Sequence, residues 1–176
     1  MRDKVSEARV ATLHPLVRDE VKRLIELAEE GLPANIAIRV VQALRTFQEQ
    51  ANLYAQGRTM PGPAVTNAKP GQTYHNYGFA FDFCLAVDTN NDGKYDEISW
   101  DIRKDNDRDG VADWLEVVKI FERIGWQWGG KWASLKDYPH LEKTFGHNWR
   151  TMLDLYNKKK FIQGTKYIDL KPGGLS

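Results

Sequence analysis

Two short stretches hold the side chains best suited to chemistry. Residues 73–82 read TYHNYGFAFD, with His75 and Asp82 seven positions apart, and residues 137–140 read DYPH. Imidazole and carboxylate are the ligand types of catalytic zinc, which takes about three protein ligands and keeps one position for water. The chain has four histidines: His14, His75, His140 and His147. His14 precedes Pro15 at a helix start and reads as a cap or surface residue, and His147, just before the last helix, reads as structural. His75, Asp82 and His140 remain as a candidate metal set. Asp137, three residues before His140, is placed to take a proton from a metal-activated water. Spacing alone also fits two polar groups that satisfy each other in a core. Against that reading, Gly78 and Ala80 keep the intervening backbone slim, alternation turns Asp82 away from Phe79, Phe81 and Phe83, and Pro139 stiffens the chain beside His140.

The elements that must position these groups alternate between helix and strand. Val17, Val21, Leu24, Ile25 and Ala28 follow helical spacing up to Gly31, and Ile36, Ile38 and Val40 alternate as in a half-buried strand. Thr46 and Glu49 form a capping-box pattern, predicting a helix from Phe47 to about Gln56. Residues 58–72, rich in Pro, Gly, Asn and Thr, read as a long surface loop of a length that is often functional. FAFDFCLAV predicts a second strand, with Cys84 on the Asp82 face as a small buried hydrophobe. ADWLEVVKIFERIG predicts an amphipathic helix stopped by Gly125, WQWGG and the His140 region short strands, and residues 148–158 a last helix before a solvated basic tail.

Composition sets outer bounds. At 176 residues the chain is read as one domain able to bury a real core, with no repeat. A net charge of +1 lacks the basic footprint of a nucleic-acid binder. No apolar run is long enough to cross a membrane, the N-terminus lacks a signal-peptide core, and the single cysteine excludes an internal disulfide. Six tryptophans and seven tyrosines exceed what such a core needs, so some are expected to line a groove.

A second ion signal lies in the acidic stretch. DNDRDGVADWLE fits the spacing of a twelve-residue calcium loop, with Asp105, Asp107, Asp109, Val111 through its carbonyl, Asp113 and Glu116 as ligands and Gly110 at the sharp turn. Asp88, Asn90 and Asp92 match the first half of the same pattern, but its twelfth place is Ser99.

TYHNYGFAFD resembles the S/T-x-H-x-x-G-x-A-x-D signature of zinc peptidases that cut peptidoglycan stem peptides. That group includes D-alanyl-D-alanine carboxypeptidases, vancomycin-resistance dipeptidases and the L-alanyl-D-glutamate endopeptidases of phage endolysins. GGKWASLKDYPHLE is similar to the second half of the signature in the L-alanyl-D-glutamate branch, and LRTFQEQANLYAQGRT to the stretch carrying that group's substrate-binding arginine. The resemblance spans residues 13–145. It implies an α+β fold, a small antiparallel sheet with helices packed on it and a zinc site in a groove on the sheet. It makes His75, Asp82 and His140 zinc ligands, Asp137 the general base and Arg45 the group holding substrate charge, with Gln50 and Thr73 as weaker supporting residues. The implied activity is a monomeric, zinc-dependent L-alanyl-D-glutamate endopeptidase with no separate wall-binding domain. It would act like an endolysin, made in the cytoplasm and released to the wall through a phage-encoded pore. A D-alanyl-D-alanine carboxypeptidase on the same site, or a non-enzymatic hedgehog-like zinc and calcium module, are the alternatives.

Overall fold

Strand β2 (Ala80–Val87) is the hub of the sheet. The computed structural model describes residues 1–171. Along one edge β2 pairs antiparallel with β1 (Ile36–Gln42), from Val87 opposite Ile36 to Asp82 opposite Gln42, with a register shift between Val40 and Gln42. Its other edge is shared. The C-terminal end pairs with β3 (Glu97–Ser99) and the N-terminal end with β5 (His140–Glu142), whose far side carries β4 (Gln127–Trp128). The helices are α1 (Lys4–Val10), α2 (Pro15–Gly31), α3 (Phe47–Ala55), α4 (Asp113–Glu122) and α5 (Trp149–Asn157). The architecture is the expected α+β arrangement.

The apolar stripe of α2 explains its place: Val17, Val21, Ile25 and Ala28 are all buried. Trp114, Val117, Val118 and Phe121 do the same for α4. Phe83 stacks on Trp114 with ring centroids 4.6 Å apart, and Phe81 meets Phe121 at 5.3 Å. Odd-numbered residues of β2 thus face the aromatic core, while Asp82 and Cys84 turn to the opposite face. The expected half-buried alternation is incomplete, because β2 is covered on both sides and every residue in it except Asp82 is buried. Cys84 is fully buried opposite Arg39, and burial pushes its thiol up to about 11.

Three parts of the chain depart from the sequence reading. Helix α1 is short and becomes visible only through its anchors: Asp3 caps it by accepting from Ser6 N–H at 3.0 Å, and Ser6 Oγ accepts from Val40 N–H at 2.7 Å. Strand β3 has three residues, too few for a periodicity. The basic segment after α5 is not a free tail. Its lysines are exposed, yet Ile162 N–H donates to Tyr167 O at 2.9 Å and Asp169 N–H to Lys160 O at 2.7 Å, burying Ile168 and Leu170. His14 Nε2–H then donates to Ile168 O at 2.9 Å, while its Nδ1 accepts from Leu16 N–H to cap α2.

Candidate metal and catalytic site

Pairing of β2 with β5 sets Asp82 opposite His140. Cross-strand partners share a face, so the two side chains meet, with Asp82 Oδ1 3.0 Å from His140 Nδ1. His75 arrives from a different element, a 3-10 turn over Tyr74–Tyr77. Thr73 caps that turn through its side chain, and Gly78 ends it at φ 75°. A Cβ on Gly78 would lie 2.7 Å from His14 N, so both the backbone conformation and the space favour glycine there. The turn delivers His75 Nε2 to 3.2 Å from Asp82 Oδ1 and 3.2 Å from His140 Nδ1.

The donor chemistry of this cluster fits a divalent metal. His75 Nδ1 lies 2.8 Å from the Ala43 carbonyl, which can only accept, so the proton sits on Nδ1 and Nε2 offers a lone pair. His140 Nε2 lies 2.9 Å from Glu142 Oε2. Zinc–nitrogen bonds of about 2.0–2.1 Å at the tetrahedral angle put ligand atoms about 3.3 Å apart, close to the separations found here. His75, Asp82 and His140 thus form a group able to hold a metal ion. Electrostatics agree. Burial alone would raise the Asp82 pKa, but His75 and His140 hold its carboxyl well below the usual range. Burial likewise opposes charge on His140, and the Asp82 and Glu142 carboxylates outweigh it, pushing its pKa up to about 9 in the metal-free protein.

These residues floor a groove of about 520 Å³, walled by Arg45, the 65–68 and 72–74 segments, Trp132, Leu135 and Asp137. The 58–72 loop therefore does border the site. Arg45 is tied to the 3-10 turn by its backbone: its N–H donates to His75 O at 3.0 Å and its carbonyl accepts from Asn76 Nδ2 at 2.8 Å. Its guanidinium is 3.6 Å from Asp82 Oδ2 and donates to Gln50 Oε1 at 3.0 Å, while its buried Nε has no partner. Asp137 reaches the same groove from the loop before β5. Burial and the Asp82 charge raise its pKa, against the pull of His140, His75 and Arg45. Gly129 makes room for it, since a Cβ there would collide with the Asp137 carbonyl, and Asp137 N–H donates to Gly129 O at 3.1 Å.

Other sequence-selected residues fall differently. Gln50 is fully buried behind Arg45 and spans to the Ala68 carbonyl at 2.7 Å, so it supports the arginine and does not line the groove. Asp105, Asp107 and Asp109 come together as a second possible metal group. Asp113 does not join them. As the first residue of α4 it is fully buried and accepts from the backbone and side-chain amides of Asn106. Asp88 accepts from the N–H groups of Asp92 and Gly93, closing its own turn. Three contributors escaped the sequence reading: Glu142, Trp132 (ring centroid 5.0 Å from His140) and Gly129. For Glu142 a signal existed, since residues i and i+2 of a strand share a face.

Residues 66–143 match a peptidase M15 family model described as D-alanyl-D-alanine carboxypeptidase. Over 132 residues the chain is 45% identical to the peptidoglycan L-alanyl-D-glutamate endopeptidase CwlK of Bacillus subtilis (strain 168), covering 74% of this chain and 72% of that protein. The chain belongs to the M15 peptidases. Members of this family are zinc-dependent, which agrees with the His–Asp–His group. The M15 fold is also seen in the crystal structure of the Serratia marcescens L-Ala D-Glu endopeptidase ChiX, with a TM-score of 0.53, 21% identity, and coverage of 81% of this chain and 88% of that one. Among the described residues no helix is long and apolar enough to cross a membrane.

Proposed function

We propose that this M15 peptidase is a zinc-dependent endopeptidase that hydrolyses the L-alanyl-D-glutamate bond of peptidoglycan stem peptides. The observation that carries the reading is the meeting of His75 Nε2, Asp82 Oδ1 and His140 Nδ1 within 3.0–3.2 Å at the floor of a groove that also holds Asp137 and Arg45. His75, Asp82 and His140 would hold the zinc, which supplies Lewis acidity when bound. Asp137 accepts the proton of the attacking water and returns it to the leaving amine, and its raised pKa suits both halves of that task. Arg45, on the groove wall, meets the negative charge that grows on the carbonyl oxygen. Trp132 and Leu135 line the groove as apolar walls for the stem peptide.

The family model's description keeps a D-alanyl-D-alanine carboxypeptidase as the second reading, and the likeness to CwlK favours the endopeptidase. Digestion of purified peptidoglycan with mass analysis of the fragments decides between them. The endopeptidase leaves L-alanine on muramic acid and creates new D-glutamate amino termini; release of terminal D-alanine alone would establish the carboxypeptidase. An endolysin-like role in wall lysis, after passage through a phage-encoded pore, belongs to the same reading, as the motif resemblance to phage endolysin peptidases implies. It is tested by adding purified protein to intact and to permeabilised cells and following turbidity.

Arg45→Ala is expected to lower kcat by about 100- to 1,000-fold, as removal of an oxyanion donor does, with the fold retained. Arg45→Lys should recover little, because an ammonium does not reproduce the planar fork that spans Gln50 and Asp82. Steady-state kinetics beside a melting curve checks this, and a lowered Tm with unchanged kcat would make Arg45 purely structural.

Calcium binding at the 105–116 loop is part of the reading. Glu116 Oε2 is buried without a partner, and burial together with Asp109, Asp107 and Asp113 raises the pKa of that carboxyl, so a cation in the loop would relieve it. Calcium is expected to raise the Tm of the zinc-loaded protein by several degrees, and Asp107→Ala to remove most of that rise. A titration with neither heat nor thermal shift would leave a plain acidic loop.

A further inference from the structure

The geometry assigns Glu142 as a positioning residue for the metal centre, one that fixes which nitrogen of His140 is free to bind metal. This inference rests on the zinc reading above. His140 and Glu142 stand two apart on β5, so both side chains project from the same face of the sheet, next to Asp82 and Ala80 across the pair. Both are buried, at 5% and 8% exposure, so the contact between them is little screened by water. The imidazole is held from its two ends: Nε2 is 2.9 Å from Glu142 Oε2, and Nδ1 points away from it, 3.0 Å from Asp82 Oδ1.

A neutral imidazole has one N–H. Both nitrogens face a carboxylate oxygen, Asp82 Oδ1 beside Nδ1 and Glu142 Oε2 beside Nε2. A cation held by the cluster would offset the charge on the Nδ1 side alone, whereas a proton placed on Nδ1 would leave the Nε2 lone pair against the Glu142 carboxylate with nothing to offset the repulsion. Glu142 therefore draws the proton to Nε2 and leaves Nδ1 as a lone pair aimed at the cluster. His75 is arranged in the mirrored sense, with Nδ1–H donating to the Ala43 carbonyl and Nε2 free. The two supports differ in kind. Ala43 offers a neutral carbonyl from the backbone, which no substitution removes, whereas Glu142 offers a charge, which polarises the N–H and makes the opposite nitrogen a stronger donor. Glu142 also lines the groove, so a direct contact with substrate is the competing role.

Loss of an outer-shell partner typically weakens metal binding by about 10- to 100-fold. Glu142→Leu is therefore expected to raise the zinc Kd within that range, measured by competition with a chromogenic chelator. Glu142→Gln keeps an acceptor for Nε2–H without the charge and should fall between the two. Should the leucine variant not fold, the glutamine variant carries the test alone. Substituting cobalt(II) for zinc gives a second readout. The d–d spectrum of Glu142→Leu should change because the His140 ring is no longer held, while that of Glu142→Gln stays near wild type. An unchanged zinc Kd in both variants and an unchanged cobalt spectrum in Glu142→Leu, with a raised KM, would overturn the inference and make Glu142 a substrate contact. A wild-type chain that takes up no zinc in the same titration would instead overturn the zinc reading beneath it.

Discussion

His140→Ala should strip the protein of zinc and reduce peptidoglycan hydrolysis to background. The metal group has three members, and His140 is the one that ties the two strands together, through Asp82 on β2 and Glu142 on β5. Without the ring, two ligands remain, and Asp82 loses a partner that holds its carboxyl ionised. The loss of zinc affinity should well exceed the ~100-fold cost of removing an outer-shell partner. Metal analysis after dialysis, with far-ultraviolet circular dichroism as the control for folding, checks the result. Treating the wild type with a chelator should reproduce the loss, and zinc should reverse it for the wild type only. Full activity in the metal-free variant would mean that the cluster is a satisfied polar core and not a metal centre.

Asp137→Asn should keep its zinc and lose turnover by about 100- to 10,000-fold, the range for removal of a general base. Asp137 is not in the His–Asp–His group; it lies on the groove wall. In the metal-free protein its pKa is raised by burial and by the Asp82 charge, and the acid limb of the rate profile should vanish in the variant. The sign for stability follows from the same shift. A carboxyl whose pKa is higher folded than unfolded binds its proton more tightly in the folded state, so stability is lost as pH rises through that raised pKa. At neutral pH the Asp137 charge is a cost to the metal-free fold, and Asp137→Asn should raise the Tm of metal-free protein while abolishing activity. Zinc content, kcat against pH and the metal-free Tm together test the assignment; near-normal turnover would sink it.

Much of the site was legible because its parts are encoded locally. The capping box of Thr46 and Glu49 forms as read, with Glu49 N–H donating to Thr46 Oγ1 at 3.1 Å and Thr46 N–H to Glu49 Oε2 at 2.7 Å, and it starts α3 directly after Arg45. Alternation along β2 puts Asp82 and the phenylalanines on opposite faces, as its pattern required. The apolar stripes of α2 and α4 likewise need only neighbours within a few turns.

The identities of the chemical groups, their order and the conformations within a few residues of each were thus determined by the sequence alone, since caps, turns and periodicity act over short separations. The tertiary structure decided distances. His75 leaves a 3-10 turn, not a strand, and reaches His140, 65 positions away, only because that turn is fastened to Ala43 and Arg45 while β2 pairs with β5. The same pairing placed Glu142 behind His140, and the buried Asp113 turned to Asn106 and away from Asp105, Asp107 and Asp109. A shift of one residue in that register would have turned His140 to the opposite face and left Asp82 without its partner, and the motif, read along the chain, would look the same.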